Sequence, residues 1–456
     1  MTSSAARAPS AAGAETLEAV LRTRGVLVCA GPGGVGKTTV SAALALAAAR
    51  RGRRACVCTI DPAKRLANSL GIEELGGVEK EVDPGRLRAT GVGLAPGGSL
   101  HALMLDTKGT FDYLVNRYAA SPDVARRILE NHFYRKITGQ VAGSQEYAAS
   151  EKLYELHGSG RYDLIVLDTP PTKHAIDFLK APKRLTDFLD GSVLQWFVMP
   201  YFKAGGFGLG IAQRMAQKVL EWLDELFGLQ FLKELNEFFQ VFQSLYGGFK
   251  ERAEKVSELM RRRDIVAFVL VTSPARDTVA ETVYFEQELR TLGLPVGGAV
   301  ANRVHPDFLG EGGLGLGDGP LARAAVSEGA LVDLQTSIAR AVPDDAVLQS
   351  ALLKSVENFY DFEILARADR EHLADLEARL RASGRFFREI PAFERDVYDI
   401  PGLARLERWL LEDGASSPST TSSASTSAST SASTSTSTST STKGDGRGAA
   451  GGVATA

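Results

Sequence analysis

Short apolar runs of β type alternate along the chain with longer stretches in which apolar residues recur every three or four positions. The runs are Val26–Ala30, Ala55–Ile60, Leu100–Asp106, Tyr162–Asp168, Ile265–Val271, Val296–Ala301 and Phe386–Ile390. Helical spacing fills most of the intervals between them, including Thr110–Leu156, Asp277–Leu292 and Pro320–Ser383. Strand and helix in alternation predict a three-layer α/β fold, with a mostly parallel sheet of about seven strands. In the last long helical stretch Phe362, Leu365, Leu373, Leu376 and Leu380 form a stripe expected to pack on the sheet.

The rhythm stops between Phe178 and about Arg263. One helical stripe there carries Ile211, Met215, Val219, Trp222, Leu223, Leu226 and Phe227. A second, on a wider arc, carries Phe231, Leu232, Leu235, Phe238, Phe239, Phe242, Leu245 and Tyr246. Such stripes fit a helical cap that packs on itself, or a face meant for an apolar partner. The organisation expected is a folded domain over 15–413, with a helical subdomain from about 108–158 and 178–263. Residues 1–14 are small and polar, and 414–456 is a Ser/Thr/Ala tract with a Gly-rich end. Neither can bury enough apolar surface to fold, so both are expected to be disordered.

The chain of 456 residues is 44% apolar, enough for a sizeable core, and its 52 Lys and Arg nearly balance 55 Asp and Glu. That balance gives no reason to expect a nucleic-acid partner or an acidic membrane surface. Cys29, Cys56 and Cys58 all fall in strand-like runs and read as small buried hydrophobes rather than a zinc clasp. The first residues lack an apolar core, and no apolar run approaches the roughly 18 residues that span a bilayer, so a soluble, cytoplasmic protein is expected.

The chemistry concentrates after the first strand. Gly31-Pro-Gly-Gly-Val-Gly-Lys-Thr38 has the form GxxxxGK[ST] between a buried strand and an Ala-rich helix, the setting that a phosphate-binding P-loop requires. Glycines let successive backbone N–H groups turn inward onto phosphate oxygens, and the helix N-terminus adds partial positive charge. Lys37 would reach the terminal phosphates and the Thr38 hydroxyl would bind magnesium. The strand Tyr162–Asp168 closes in a carboxylate, the form that holds a magnesium ion or its water, and Thr-Pro-Pro-Thr-Lys-His follows as a candidate switch. Asp61 ends the second strand. It faces the ligand crevice, caps the helix before Pro62, or does both.

Several segments in order resemble the ArsA-like ATPases, a deviant P-loop class that includes the arsenite-pump ATPase and the targeting factor for tail-anchored membrane proteins. The family loop KGGVGKTT stands here as Pro32-Gly-Gly-Val-Gly-Lys-Thr-Thr39. The family's DPAHxL switch is similar to Asp61-Pro-Ala-Lys-Arg-Leu66, and its DTAPTGH switch to Asp168–His174. An adenine-recognising Asn matches Asn302, and an adenine loop resembles Pro391-Ala-Phe393-Glu-Arg-Asp-Val397. The resemblance implies ATP and Mg2+ as ligands, with the phosphates held by the backbone of Gly33, Gly34, Val35, Gly36, Lys37, Thr38 and Thr39. It implies Asp61 and Lys37 as the catalytic pair, Thr38 and Asp168 at the metal, and Asn302, Pro391 and Phe393 at the base. It implies a homodimer or heterodimer whose helical subdomain handles a membrane-protein or other apolar client. Metalloid export is disfavoured, because the pump's cysteines have no counterpart. Pro32 replaces the family's first P-loop lysine and supplies no cation and no N–H. Lys64, Arg65 or Lys173, or a related subunit, would have to make good the charge; otherwise turnover is slow and nucleotide binding is itself the signal.

Overall fold

The computed structural model describes residues 15–61, 65–131, 134–135, 144–171, 246–307, 336–342 and 345–412. Both termini expected to be disordered, and both apolar stripes expected between Ile211 and Tyr246 save Tyr246 itself, lie outside these residues.

In chain order the described elements are α1 (Leu17–Thr23), β1 (Val26–Ala30), α2 (Lys37–Arg50), β2 (Arg54–Thr59), α3 (Arg65–Leu70), β3 (Lys80–Glu81), α4 (Pro84–Ala89), β4 (Ser99–Met104), α5 (Thr107–Tyr118), α6 (Pro122–Glu130), α7 (Ser144–Gly158), β5 (Leu164–Asp168), α8 (Tyr246–Arg261), β6 (Val266–Thr272), α9 (Arg276–Thr291), β7 (Val296–Val304), α10 (Ala346–Ala382), β8 (Phe386–Pro391) and α11 (Ile400–Leu411). The strands form one sheet in the order β3-β4-β2-β5-β1-β6-β7-β8. Every pairing is parallel except β3 with β4. This is the α/β architecture of the P-loop NTPases. Eight strands stand where about seven were expected. The extra one, Lys80–Glu81, is a polar, exposed edge pair that carries no hydrophobic signal.

Two apolar layers sandwich the sheet. On one face α1, α2, α3, α4 and α11 pack against Leu27, Cys29, Val57 and Val166. On the other, α7, α8, α9 and the C-terminal part of α10 pack against Val28, Cys58, Leu167 and Phe268. The alternation of β1 residues between the two layers follows from strand geometry, and burial on both faces explains its unbroken apolar run. Helix α2 is buried on nearly every side, which fits its alanine-rich sequence: small side chains let a helix lie close between the sheet and α11.

Strand ends shift where polar side chains take other work. The predicted strand ending at Asp106 stops at Met104, because the Asp106 carboxylate accepts from the Gly109 amide and caps α5. The strand predicted from Tyr162 begins at Leu164, since Asp163 pairs with Arg54 at 2.7 Å. In α10 the predicted stripe holds at Leu373, Leu376 and Leu380 but fails at Leu365, which is 47% exposed. The buried line continues instead through Asp369 and Ala366. Asp369 Oδ2 meets His305 twice, at the backbone N (2.8 Å) and at Nδ1 (2.7 Å), tying α10 to the end of β7. Among the described residues no helix is long and apolar enough to cross a membrane.

Candidate functional site

Strand β1 lies between β5 and β6, and the chain runs outward to opposite sheet edges from there. A crevice at the carboxyl ends of the strands is therefore expected at this point. The loop from Gly31 to Gly36 fills it. Gly31 lies so close to β6 that a Cβ would stand 1.9 Å from the Val271 carbonyl oxygen. Gly36 has φ +94° and ends the loop as the N-cap of α2, with no side chain capping the helix. The first amides of α2 are thus left for an anion, as at other helix N-termini.

Lys37 is buried, and its Nζ donates to the Pro32 carbonyl at 2.7 Å. Burial lowers its pKa, while the Asp168 carboxylate and, more weakly, Glu281 and Asp61 raise it. Pro32 therefore does have a part in the loop, as the acceptor for this lysine.

Asp168 sits fully buried at the end of β5. Its Oδ2 accepts from the Thr38 hydroxyl at 2.7 Å and the Thr59 hydroxyl at 2.8 Å. Its Oδ1 is buried with no hydrogen-bond partner. Burial raises the carboxyl to about 6 against the pull of both hydroxyls and of Lys37. A hydroxyl beside a carboxylate with a spare buried oxygen is a hard-oxygen donor set that fits a small divalent cation such as Mg2+. Thr59 also accepts from the backbone N–H of Asp61 at 3.2 Å. One chain of bonds thus runs from Asp61 through Thr59 to Asp168. Sequence reasoning missed Thr59. Its role follows from β2 pairing with β5 so that Thr59 stands opposite Asp168.

At the far rim Asn302 Nδ2 donates to the Val35 carbonyl at 2.8 Å. Pro391 lies on the neighbouring strand, where Val304 is its partner in register. Phe393 packs at the edge of the apolar layer, with the Arg405 guanidinium 5.4 Å from its ring centre. The structure thus brings Lys37, Thr38, Asp168 and Asn302 onto one loop. Asp61 enters that group through its backbone. Arg65 opens α3 as an exposed residue; Lys64 and Lys173 lie outside the described residues. From the helical side, Gln145 at the start of α7 donates to the Ile60 carbonyl, next to Asp61, at 3.1 Å.

Cys29, Cys56 and Cys58 are free and buried. Burial pushes the thiols of Cys29 and Cys58 up to about 12 and that of Cys56 well above its ordinary value.

The family model described as "Anion-transporting ATPase" matches residues 24–311. An Aquifex aeolicus protein named as an arsenical pump-driving ATPase is 24% identical over 294 residues, covering 62% of this chain and 64% of its own length. "ATPase GET3C" of Arabidopsis thaliana is 28% identical over 288 residues, covering 60% of this chain and 66% of its own. "ATPase ASNA1 homolog 1" of Paramecium tetraurelia is 25% identical over 292 residues, covering 60% and 73%. The chain spans a little under two thirds of the length of the first two relatives.

Proposed function

The chain belongs to the anion-transporting ATPase family, and from that premise we propose that it is a magnesium-dependent ATPase working as a dimeric nucleotide switch. The observation that carries the reading is the cluster of Thr38, Thr59 and Asp168 beside Lys37 at the mouth of the P-loop. Amides from Gly33 to Thr39 cradle the phosphates, and Lys37 leaves the Pro32 carbonyl to meet the terminal ones. Thr38 and Asp168 would hold a magnesium ion, which would supply charge against that of the phosphate oxygens. Asp61 orients the attacking water and accepts its proton, and its backbone bond to Thr59 ties it to the hydroxyl that donates to Asp168. Asn302, Pro391 and Phe393 contact the adenine base.

Two uses of such a switch come into question: driving a pump, as the name of the Aquifex aeolicus relative says of that protein, and handling of an apolar or membrane-protein client, which the motif resemblance implies. Here the client reading is the better supported. All three thiols are buried and held protonated, so they offer a metalloid no thiolate. Helix α10 exposes Val347, Leu348, Leu352, Ile364 and Leu365, apolar surface of the kind that meets an apolar partner.

Phosphate release with and without magnesium tests the proposal, using wild type, Lys37→Ala and Asp61→Asn. Each variant is expected to lose about 100-fold or more in kcat, with Asp61→Asn still binding nucleotide. A wild type that binds ATP without hydrolysing it would instead make the protein a nucleotide-sensing regulatory subunit. A rate indifferent to both substitutions would sink the mechanism.

A further inference from the structure

Successive side chains of a strand point to opposite faces, so Asn302 and Arg303 near the end of β7 should diverge. They converge instead. Asn302 donates to the Val35 carbonyl and Arg303 Nη1 to the adjacent Gly34 carbonyl, at 3.4 Å. Two features of the backbone cause this. Arg303 has φ 65°, the one positive φ at a non-glycine among the described residues. The β7–β8 register also shifts there: Asn302 pairs with Ile390 and Val304 with Pro391, which leaves Arg303 without a strand partner. Bulges of this kind re-aim side chains beside active sites, and a left-handed arginine persists only where its surroundings enforce it.

The re-aimed guanidinium is exposed. Among the described residues it pairs with no carboxylate; the Gly34 carbonyl is its one hydrogen-bond partner there. The loop therefore has two cations resting on its own carbonyls, Lys37 on Pro32 from within and Arg303 on Gly34 from the rim. A triphosphate brings about four negative charges to this loop, and its oxygens are better acceptors for a guanidinium than a neutral carbonyl is.

We infer that Arg303 is a second phosphate-binding cation of the nucleotide site, leaving the Gly34 carbonyl for the polyphosphate of ATP and supplying charge that Pro32 cannot. The inference rests on the P-loop's being a nucleotide site, and its chemistry is that of a charged, multidentate donor.

Isothermal titration of the full chain with a non-hydrolysable ATP analogue, ADP and AMP tests it. Arg303→Gln keeps a donor for Gly34 and removes the charge. It is expected to weaken the ATP analogue about tenfold to a hundredfold, ADP less and AMP least, and to flatten the salt dependence of ATP binding. Arg303→Lys should recover most of the loss. A purely structural residue would weaken all three ligands equally, leave the salt dependence alone and lower the melting temperature; that pattern would overturn the inference. So would an Arg303→Gln variant that binds the ATP analogue within about twofold of wild type. A wild type that binds none of the three ligands would refute the nucleotide site itself, a separate failure.

Discussion

The packing of Gly36 against Asn302 lends itself to a thermodynamic cycle. A Cβ at Gly36 would lie 2.3 Å from Asn302 Nδ2, the atom that donates to the Val35 carbonyl. Gly36→Ala therefore does two things. It places an L side chain at φ +94°, which costs about 1–2 kcal/mol, and it expels the amide from its acceptor, a loss of about 1 kcal/mol. The single variant should lose about 2–3 kcal/mol of stability. Asn302→Ala removes the same hydrogen bond without the backbone strain and should lose about 1 kcal/mol. The bond can be lost only once, so the double variant should be no less stable than Gly36→Ala alone, a coupling of about 1 kcal/mol. Urea unfolding of the four nucleotide-free proteins measures each corner, with ATP-analogue binding as a second readout. Additive losses would mean that the amide and the glycine do not share the space described, and the account of how Asn302 braces the loop would be wrong.

Two further predictions concern buried charge. Burial holds the Asp168 carboxyl at about 6 in the folded protein against 3.8 ordinarily, so between these values the folded state binds more protons than the unfolded. The stability that this group contributes is fully present below the lower value and is lost as pH rises through about 6, a change of about 3 kcal/mol. In chelator, wild type should weaken across that window while Asp168→Asn does not; matching pH profiles from urea melts would contradict the burial argument. Glu151 has a fully buried side chain paired with Arg252 at 2.5 Å, and the guanidinium also lies 4.0 Å from the Tyr154 ring centre. Arg252→Ala should cost about 3–5 kcal/mol by stranding the carboxylate, and adding Glu151→Gln should restore much of it. A melting temperature that stays put in the single variant would count against the pair.

Much of the site was legible because its logic is local. The candidate P-loop is a strand, a turn and a helix within one short stretch, so the glycines, Lys37 and Thr38 are placed beside one another by spacing along a single backbone. Asp168 was legible for a similar reason, as a carboxylate closing an apolar run. The helix stripe was legible only in part. Helical spacing carried Leu373, Leu376 and Leu380 but also suggested Leu365, and the phase was decided by Asp369, a polar residue drawn into the buried line by His305. The edge strand Lys80–Glu81 left no apolar trace, since an exposed two-residue pair buries nothing.

By itself, then, the sequence determined the alternation of strands and helices, the glycine-rich loop after β1 and the carboxylates that follow or close two strands, because hydrophobic period and turn chemistry act between near neighbours. Only the tertiary structure decided what those groups touch. Thr59 reaches Asp168 because β5, more than a hundred residues further on, inserts beside β2. Arg303 joins Asn302 on the loop because a register shift between β7 and β8 breaks the strand's alternation. Both depend on pairings between distant segments, and such pairings are fixed by the burial of the whole sheet rather than by any stretch of it.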